Sequence, residues 1–365
     1  MNVIFNICYK TYNVFYFSAL LNMTYIVLLF FTTLIEVALF SKAKIIGYKL
    51  NLIDRPDNTR KLHKLPTPTL GGPVILSLFS IIFFVLKLYE INIFDWSTLI
   101  ALSLITSLGI IDDKFNINPN LKLLLISVIL ILFFTQNQNL IVNELRFSSY
   151  SYVLNLNNFA IPFTILCCLL LINSLNMTDG KNGLCGSIQI IILSFLIFFI
   201  LKDKHEIDLD IKTLNLDIIL ILFYISFLII FLFFNFRGLV FLGDSGSYLG
   251  AFLISYFILS TYQNSISFNV EQILLLLILP GIDMLRVFIE RIMNNKNPFI
   301  GDNNHFHHII FLKTKSHILT TLIYCVMLLL INISTILFPN LTLNFLIIYI
   351  IIYFLLIRLI KNKMI

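Results

Sequence analysis

Residues 216–235 read LDIILILFYISFLIIFLFFN, and between Asp217 and Arg237 no charged side chain interrupts the run. About 20 consecutive apolar residues are what a helix needs to cross the hydrocarbon of a bilayer. Working outward in both directions, similar runs fall near 22–46, 71–89, 95–111, 121–136, 158–177, 183–201, 247–262, 270–292, 317–338 and 341–360. With 216–235 they make about eleven spans. The expected fold class is therefore an all-α polytopic membrane protein, a single bundle of about 11 transmembrane helices, with residues 1–365 forming one integral-membrane domain. Residues 1–21 are apolar enough to lie on a membrane surface, and no signal peptide is read there.

Composition agrees. Of 365 residues, 59% are hydrophobic and 12% charged, and the mean hydropathy is +0.94. Soluble domains run to about 45–50% apolar and about 25% charged residues. That excludes a cytosolic enzyme, a disordered chain, a collagen-like rod and a disulfide scaffold. A net charge of +6 is too mild to argue for nucleic acid. The five cysteines show no metal-ligand spacing.

The spans place alternate loops on opposite faces. One face collects nineteen Lys and Arg residues and the other six. The positive-inside bias puts the first face in the cytoplasm and the N-terminus outside.

Polar residues gather on that same face. Asp54, Arg55, Lys61, His63 and Lys64 lie in its first loop, and Asp112 and Asp113 end the third span. Asn173, Asn176, Asp179 and Asn182 surround the next turn, Asp244 stands in Gly243-Asp244-Ser245-Gly246, and His305, His307 and His308 occupy the last large loop. Each has a bland reading. An Asp between glycines makes turns, Asn at helical spacing bonds helix to helix, and His317 suits a surface or packing position. Asp283 and Arg286 are equally a structural ion pair or a site feature. Charged groups in a membrane are costly, however, and five polar clusters on one face imply one site. An anionic substrate bound with magnesium suits carboxylates, amides, Lys and His.

As a set, these segments resemble the polyprenyl-phosphate N-acetylhexosamine-1-phosphate transferases, glycosyltransferase family 4. The matching stretches run from Asp54-Arg55-Pro56-Asp57 and Pro68-Thr69-Leu70-Gly71-Gly72 to Gly109-Ile110-Ile111-Asp112-Asp113 with Lys122. They continue through Asn173-Ser174-Leu175-Asn176-Met177-Thr178-Asp179-Gly180 and Phe241-Leu242-Gly243-Asp244 to His305-Phe306-His307-His308. The resemblance covers roughly 40–310. It implies a cytoplasmic active-site cleft and transfer of a sugar-1-phosphate from a UDP-N-acetylhexosamine to undecaprenyl phosphate, with UMP released. It also implies a multi-pass protein of the bacterial inner membrane, in contact with membrane lipid and compatible with a homodimer.

The resemblance further implies residue roles. Asp112 and Asp113 would be catalytic, with Asp112 aligning the lipid phosphate. Asp244 and Asn176 would hold Mg2+, with Mn2+ as a substitute. Lys64, Thr69, Lys122, Asn173, Asp179, Asn182, His305, His307 and His308 would bind substrate. Three positions depart from the family's pattern. Asn182 and Asn116 stand where many members have Asp, and the histidines read His-x-His-His, which leans towards the GlcNAc-1-phosphate branch. The alternatives are a transporter, which would place polar groups near the midplane and at both faces, and a magnesium-dependent prenyltransferase, which would need a second Asp-rich helix.

Overall fold

The computed structural model describes residues 23–56, 65–92, 94–148, 152–206, 211–298 and 304–362. Fourteen α-helices are described, many with a broad apolar surface. They are α1 (Met23–Ser41), α2 (Ala43–Leu50), α3 (Gly71–Leu88), α4 (Trp96–Phe115), α5 (Pro119–Gln136), α6 (Ala160–Thr178) and α7 (Leu184–Glu206). Then follow α8 (Ile211–Asn235), α9 (Gly243–Asn264), α10 (Val270–Leu276), α11 (Ile278–Met293), α12 (Phe306–Thr314), α13 (His317–Leu337) and α14 (Thr342–Asn362). Among the described residues, eight helices are long and apolar enough to cross a membrane, and nine if α10 and α11 count as one bent span. The protein is a multi-pass membrane protein.

Helices α4 and α9 fall outside that set, and for α9 packing explains why. α9 contacts α3, α4, α6 and α7, and its residues from Ser245 to Tyr262 are buried almost without interruption. A helix wrapped in protein needs no lipid-facing surface, so it can carry serines, glycines and an aspartate. The periphery is the opposite case. On α14, Ile347, Ile351, Leu355 and Leu359 repeat every four residues on one exposed face, as a lipid-facing stripe requires.

Close approach of α4 to α9 depends on Gly109. A Cβ there would stand 2.2 Å from the Ser245 Cα.

Span 270–292 is bent: α10 and α11 meet at Leu277 at 72°. Pro280 has no N–H to give the Leu276 carbonyl, and its ring crowds that carbonyl, so the ladder breaks there.

Two short antiparallel pairs also interrupt the all-α expectation. β1 (Ile53–Asp54) pairs with β2 (Thr67–Pro68), with Ile53 opposite Pro68. The next residue, Thr69, bridges in parallel to Phe241, whose N–H donates to the Pro68 carbonyl at 2.8 Å. This ties the first polar loop to the chain entering α9. On the opposite end, β3 (Glu144–Arg146) pairs with β4 (Val153–Asn155). Arg146 donates to the carbonyls of Tyr262 and Ser265 at the C-terminus of α9, and its guanidinium lies 4.3 Å from the Tyr262 ring centroid. A cation there complements the helix dipole.

Candidate active site

Everything at the candidate site is built around the first turn of α9. Gly243 has φ +74, a left-handed conformation that costs glycine nothing. A Cβ there would stand 2.8 Å from Asp113 Oδ2 and 3.0 Å from the Thr69 Cβ. Asp113 reaches from the end of α4 to cap α9. Its Oδ1 accepts from the Asp244 N–H at 2.8 Å, and its Oδ2 accepts from the Ser245 N–H at 3.2 Å and the Ser245 hydroxyl at 3.0 Å. Both oxygens are thus engaged with α9.

Asp112, 3% exposed, points elsewhere. Its Oδ2 accepts from Lys122 Nζ at 2.6 Å and from the Tyr248 hydroxyl at 2.7 Å, and its Oδ1 from the Ile117 N–H at 2.9 Å. Lys122 also lies 5.5 Å from the Tyr248 ring centroid. Asn116 closes α4 in the left-handed region at φ 49. Asn tolerates that conformation well, which accounts for an amide at this position.

Asp244 accepts at Oδ1 from Asn176 Nδ2 at 2.7 Å, and the same amide nitrogen donates to the Ser247 hydroxyl at 2.8 Å. Asp112 and Asp244 are near enough for their charges to repel. Asp179 is the residue that closes α6, in the neighbourhood of Gly243. Burial, then the charges of Asp244 and Asp113, push its carboxyl well above the usual range. Four carboxylates therefore crowd one helix start, with Lys122 paired to Asp112 among them. Such a cluster favours a further cation.

The histidine segment docks on the same turn. A Cβ on Gly180 would stand 2.9 Å from His307 Nε2 and 3.3 Å from His308 Nε2. Asp283 organises this segment. Its Oδ2 lies 3.0 Å from His305 Nδ1, and its Oδ1 accepts from the Phe306 N–H at 3.0 Å, the Tyr353 hydroxyl at 2.7 Å and Arg286 at 2.8 Å. The Asp283–Arg286 pair is thus a structural pair that also orients His305. Engaging Nδ1 leaves Nε2 of that ring for a ligand. His307 is 1% exposed and neither ring nitrogen has a partner. Burial first, then the neighbouring His308, hold its pKa well below the imidazole range.

The structure thus brings together Asp112, Asp113, Lys122, Asn176, Asp179, Asp244 and, through Gly180, His307 and His308, with Thr69 beside Gly243. Asn173 turns its amide nitrogen to its own helix, at the Leu169 carbonyl, 2.8 Å away. Asn182 offers its backbone carbonyl to Thr321 at 3.3 Å. Lys64 lies outside the described residues. Tyr248 and Lys181 were not singled out from sequence. Tyr248 had a signal, since it stands four residues after Asp244 on one face of α9.

With that geometry in view, comparison with known proteins is informative. Glycosyl transferase family 4 matches residues 96–262, from the start of α4 to the end of the buried part of α9. Over that stretch the chain is similar to glycosyl transferase family 4. It is 28% identical over 342 residues, 91% of each chain, to a protein of Bacillus subtilis (strain 168) named probable undecaprenyl-phosphate N-acetylglucosaminyl 1-phosphate transferase. A protein of Escherichia coli O157:H7 named undecaprenyl-phosphate alpha-N-acetylglucosaminyl 1-phosphate transferase is 28% identical over 80% of each chain. One of Yersinia pestis with the same name is 25% identical over 80% of each. The family 4 match contains both carboxylate-bearing helices, so the resemblance and the geometry converge on one region.

Proposed function

We propose that this protein transfers N-acetylglucosamine-1-phosphate from UDP-N-acetylglucosamine to undecaprenyl phosphate, making the lipid-linked first sugar of a cell-surface polysaccharide. The observation that carries this reading is the convergence of Asp112, Asp113, Asp179 and Asp244 with Lys122 and the histidine segment at one end of a buried helix. The names of the relatives favour the same substrates. The protein sits in the bacterial inner membrane with this end in the cytoplasm and its N-terminus outside, as the Lys and Arg distribution favours.

In the reaction, an oxygen of the lipid phosphate attacks the phosphorus that bears the sugar. The bond from that phosphorus to the bridging oxygen breaks, and UMP leaves with the electron pair. A phosphate monoester has a second pKa of about 6, so no base is needed to make much of the nucleophile at neutral pH. Asp112 suits alignment: Lys122, Tyr248 and the Ile117 N–H already occupy its oxygens. It holds Lys122 where the ammonium can meet phosphate charge.

Among the described residues, no three His, Cys, Asp or Glu side chains form a metal-holding group. The donor set still fits magnesium, which takes one or two carboxylates and completes its octahedron with water and substrate phosphates. Asp244 would hold the ion. Asn176 orients Asp244 through its amide nitrogen and would join as a ligand through its amide oxygen. Magnesium, or manganese in its place, would supply positive charge to the diphosphate. The transporter reading gains nothing from α9, whose middle, from Leu249 to Leu259, is buried and largely apolar.

The test is UMP release by detergent-purified protein given undecaprenyl phosphate, magnesium and a panel of UDP-N-acetylhexosamines. Release that needs both lipid phosphate and metal, and is fastest with UDP-N-acetylglucosamine, is expected. No release from any donor by folded protein would overturn the reading.

A further inference from the structure

Beside the histidine segment lies a basic cluster in which Lys181 and His307 have no ion-pair partner among the described residues. Lys181 is 8% exposed, and its Nζ stands 4.1 Å from the centroid of the Phe311 ring. His317 packs against the same ring: its ring centroid is 4.8 Å from that of Phe311, and its Nδ1 is buried without a hydrogen-bond partner among the described residues. His307 lies at 4.2 Å from His308, centroid to centroid, with both its nitrogens unpartnered. Lys181 is close enough to both His307 and His317 to act on each electrostatically.

Three basic side chains thus share a desolvated space, with three unpartnered ring nitrogens among them. Burying a polar nitrogen without a partner costs about 1–3 kcal/mol, and like charges in a low dielectric repel. Asp283 acts on His307 from one side, but its oxygens are already engaged by His305, Arg286, Tyr353 and the Phe306 N–H. The charges that act on Asp179 are those of Asp244 and Asp113. An anion among these nitrogens would accept from their N–H groups and offset the Lys181 charge together. Burial also lowers the Lys181 pKa, an effect that a bound anion would reverse.

We propose that Lys181 and His317, with the Phe311 ring as their support, complete around His307 a pocket for a phosphate group of a substrate. This rests on the transferase reading and extends the histidine segment by two residues. It also gives Lys181 a role beside Asn182, where the chain lacks the acidic group found in many family members. Phosphate is carried by both the sugar nucleotide and the lipid. Lys181 is joined to the site through Gly180 and the histidines, and Lys122 through Asp112.

The test uses full-length protein in detergent with Lys181→Met, which keeps the stem on Phe311, Lys181→Arg, which keeps the charge, and His317→Gln. KM is measured separately for UDP-N-acetylglucosamine and for undecaprenyl phosphate, and UMP binding is followed by thermal shift without turnover. One charge-assisted hydrogen bond is worth about 1.5–3 kcal/mol, so Lys181→Met is expected to raise one KM roughly 10- to 100-fold with kcat changed far less. Lys181→Arg should restore much of the loss. A rise for the nucleotide with weakened UMP binding assigns the pocket to the donor, and a rise for the lipid alone assigns it to the acceptor. Wild-type KM values for both substrates in Lys181→Met and His317→Gln would overturn the proposal. Failure of wild-type protein to turn over either substrate would instead overturn the transferase reading.

Discussion

Asp113 and Asp244 sit on different helices, and the first holds the second by its backbone: Asp113 Oδ1 accepts the Asp244 N–H at 2.8 Å. A carboxylate from α4 thereby supplies the N-terminal cap that α9 lacks in its own sequence, since Leu242 precedes it without a capping side chain. At the other end Arg146 meets the last carbonyls of α9. The central helix is pinned at both termini by charges of the sign its dipole favours.

Removing the cap should loosen the site before it touches chemistry. Asp113→Ala is expected to cost about 1–2 kcal/mol of stability, the usual loss for a capping side chain, together with a large fall in turnover. Thermal denaturation in detergent measures it. A variant as stable as wild type would show that α9 does not depend on Asp113.

Asp112 differs from its neighbour in what it holds. Asp112→Asn keeps the shape but weakens the grip on Lys122, so UDP-N-acetylglucosamine should still bind while kcat falls by about 100- to 1,000-fold. Equilibrium binding and single-turnover rates separate the two effects. Normal turnover would remove Asp112 from the account.

Asp244 is the residue on which metal dependence should hinge. Asp244→Ala is expected to abolish magnesium-stimulated UMP release, while the Asp113 cap, which uses the backbone of residue 244, survives. An unchanged magnesium titration would refute this.

How much of this was legible beforehand varies with the physics. Apolar length alone reveals α8 and α14, because lipid-facing helices must be apolar. It also reveals α4 and α9, as the runs 95–111 and 247–262, but not that α9 is enclosed by protein and so carries serines, glycines and an aspartate. Clustering of polar residues at one face was readable from span order. Which oxygen each carboxylate spends on which helix was not, since Asp112 and Asp113 are adjacent in sequence and opposite in task. The break at Leu277 had a sequence signal in Pro280, while the basic cluster at Lys181 draws on α12 and α13, far along the chain.

Helix contact makes a separate demand at Gly109. Gly109→Ala would push a methyl into the Ser245 backbone, where a Cβ finds only 2.2 Å. Overpacking of this kind costs about 1–3 kcal/mol or more. Lowered yield of folded protein and a lowered melting temperature are expected, and wild-type behaviour would mean that α4 and α9 pack less closely.

His307 sets a pH dependence with a definite sign. Its folded pKa is depressed by burial and by His308, below an unfolded value of about 6.5. The unfolded chain therefore binds the proton more readily, and stability present above pH of about 6.5 is lost as pH falls. Melting temperatures measured between pH 8 and 5 should drop on the acid side, and His307→Gln should flatten that drop. An identical drop in the variant would exclude His307 as its source.

The most direct measurement follows the phosphorus. UDP-N-acetylglucosamine labelled in the phosphate that bears the sugar is incubated with undecaprenyl phosphate, magnesium and purified protein, and the label is partitioned between lipid and water. The account predicts label in the lipid and unlabelled UMP in the water. Labelled UDP in the water, with unlabelled sugar in the lipid, would contradict it.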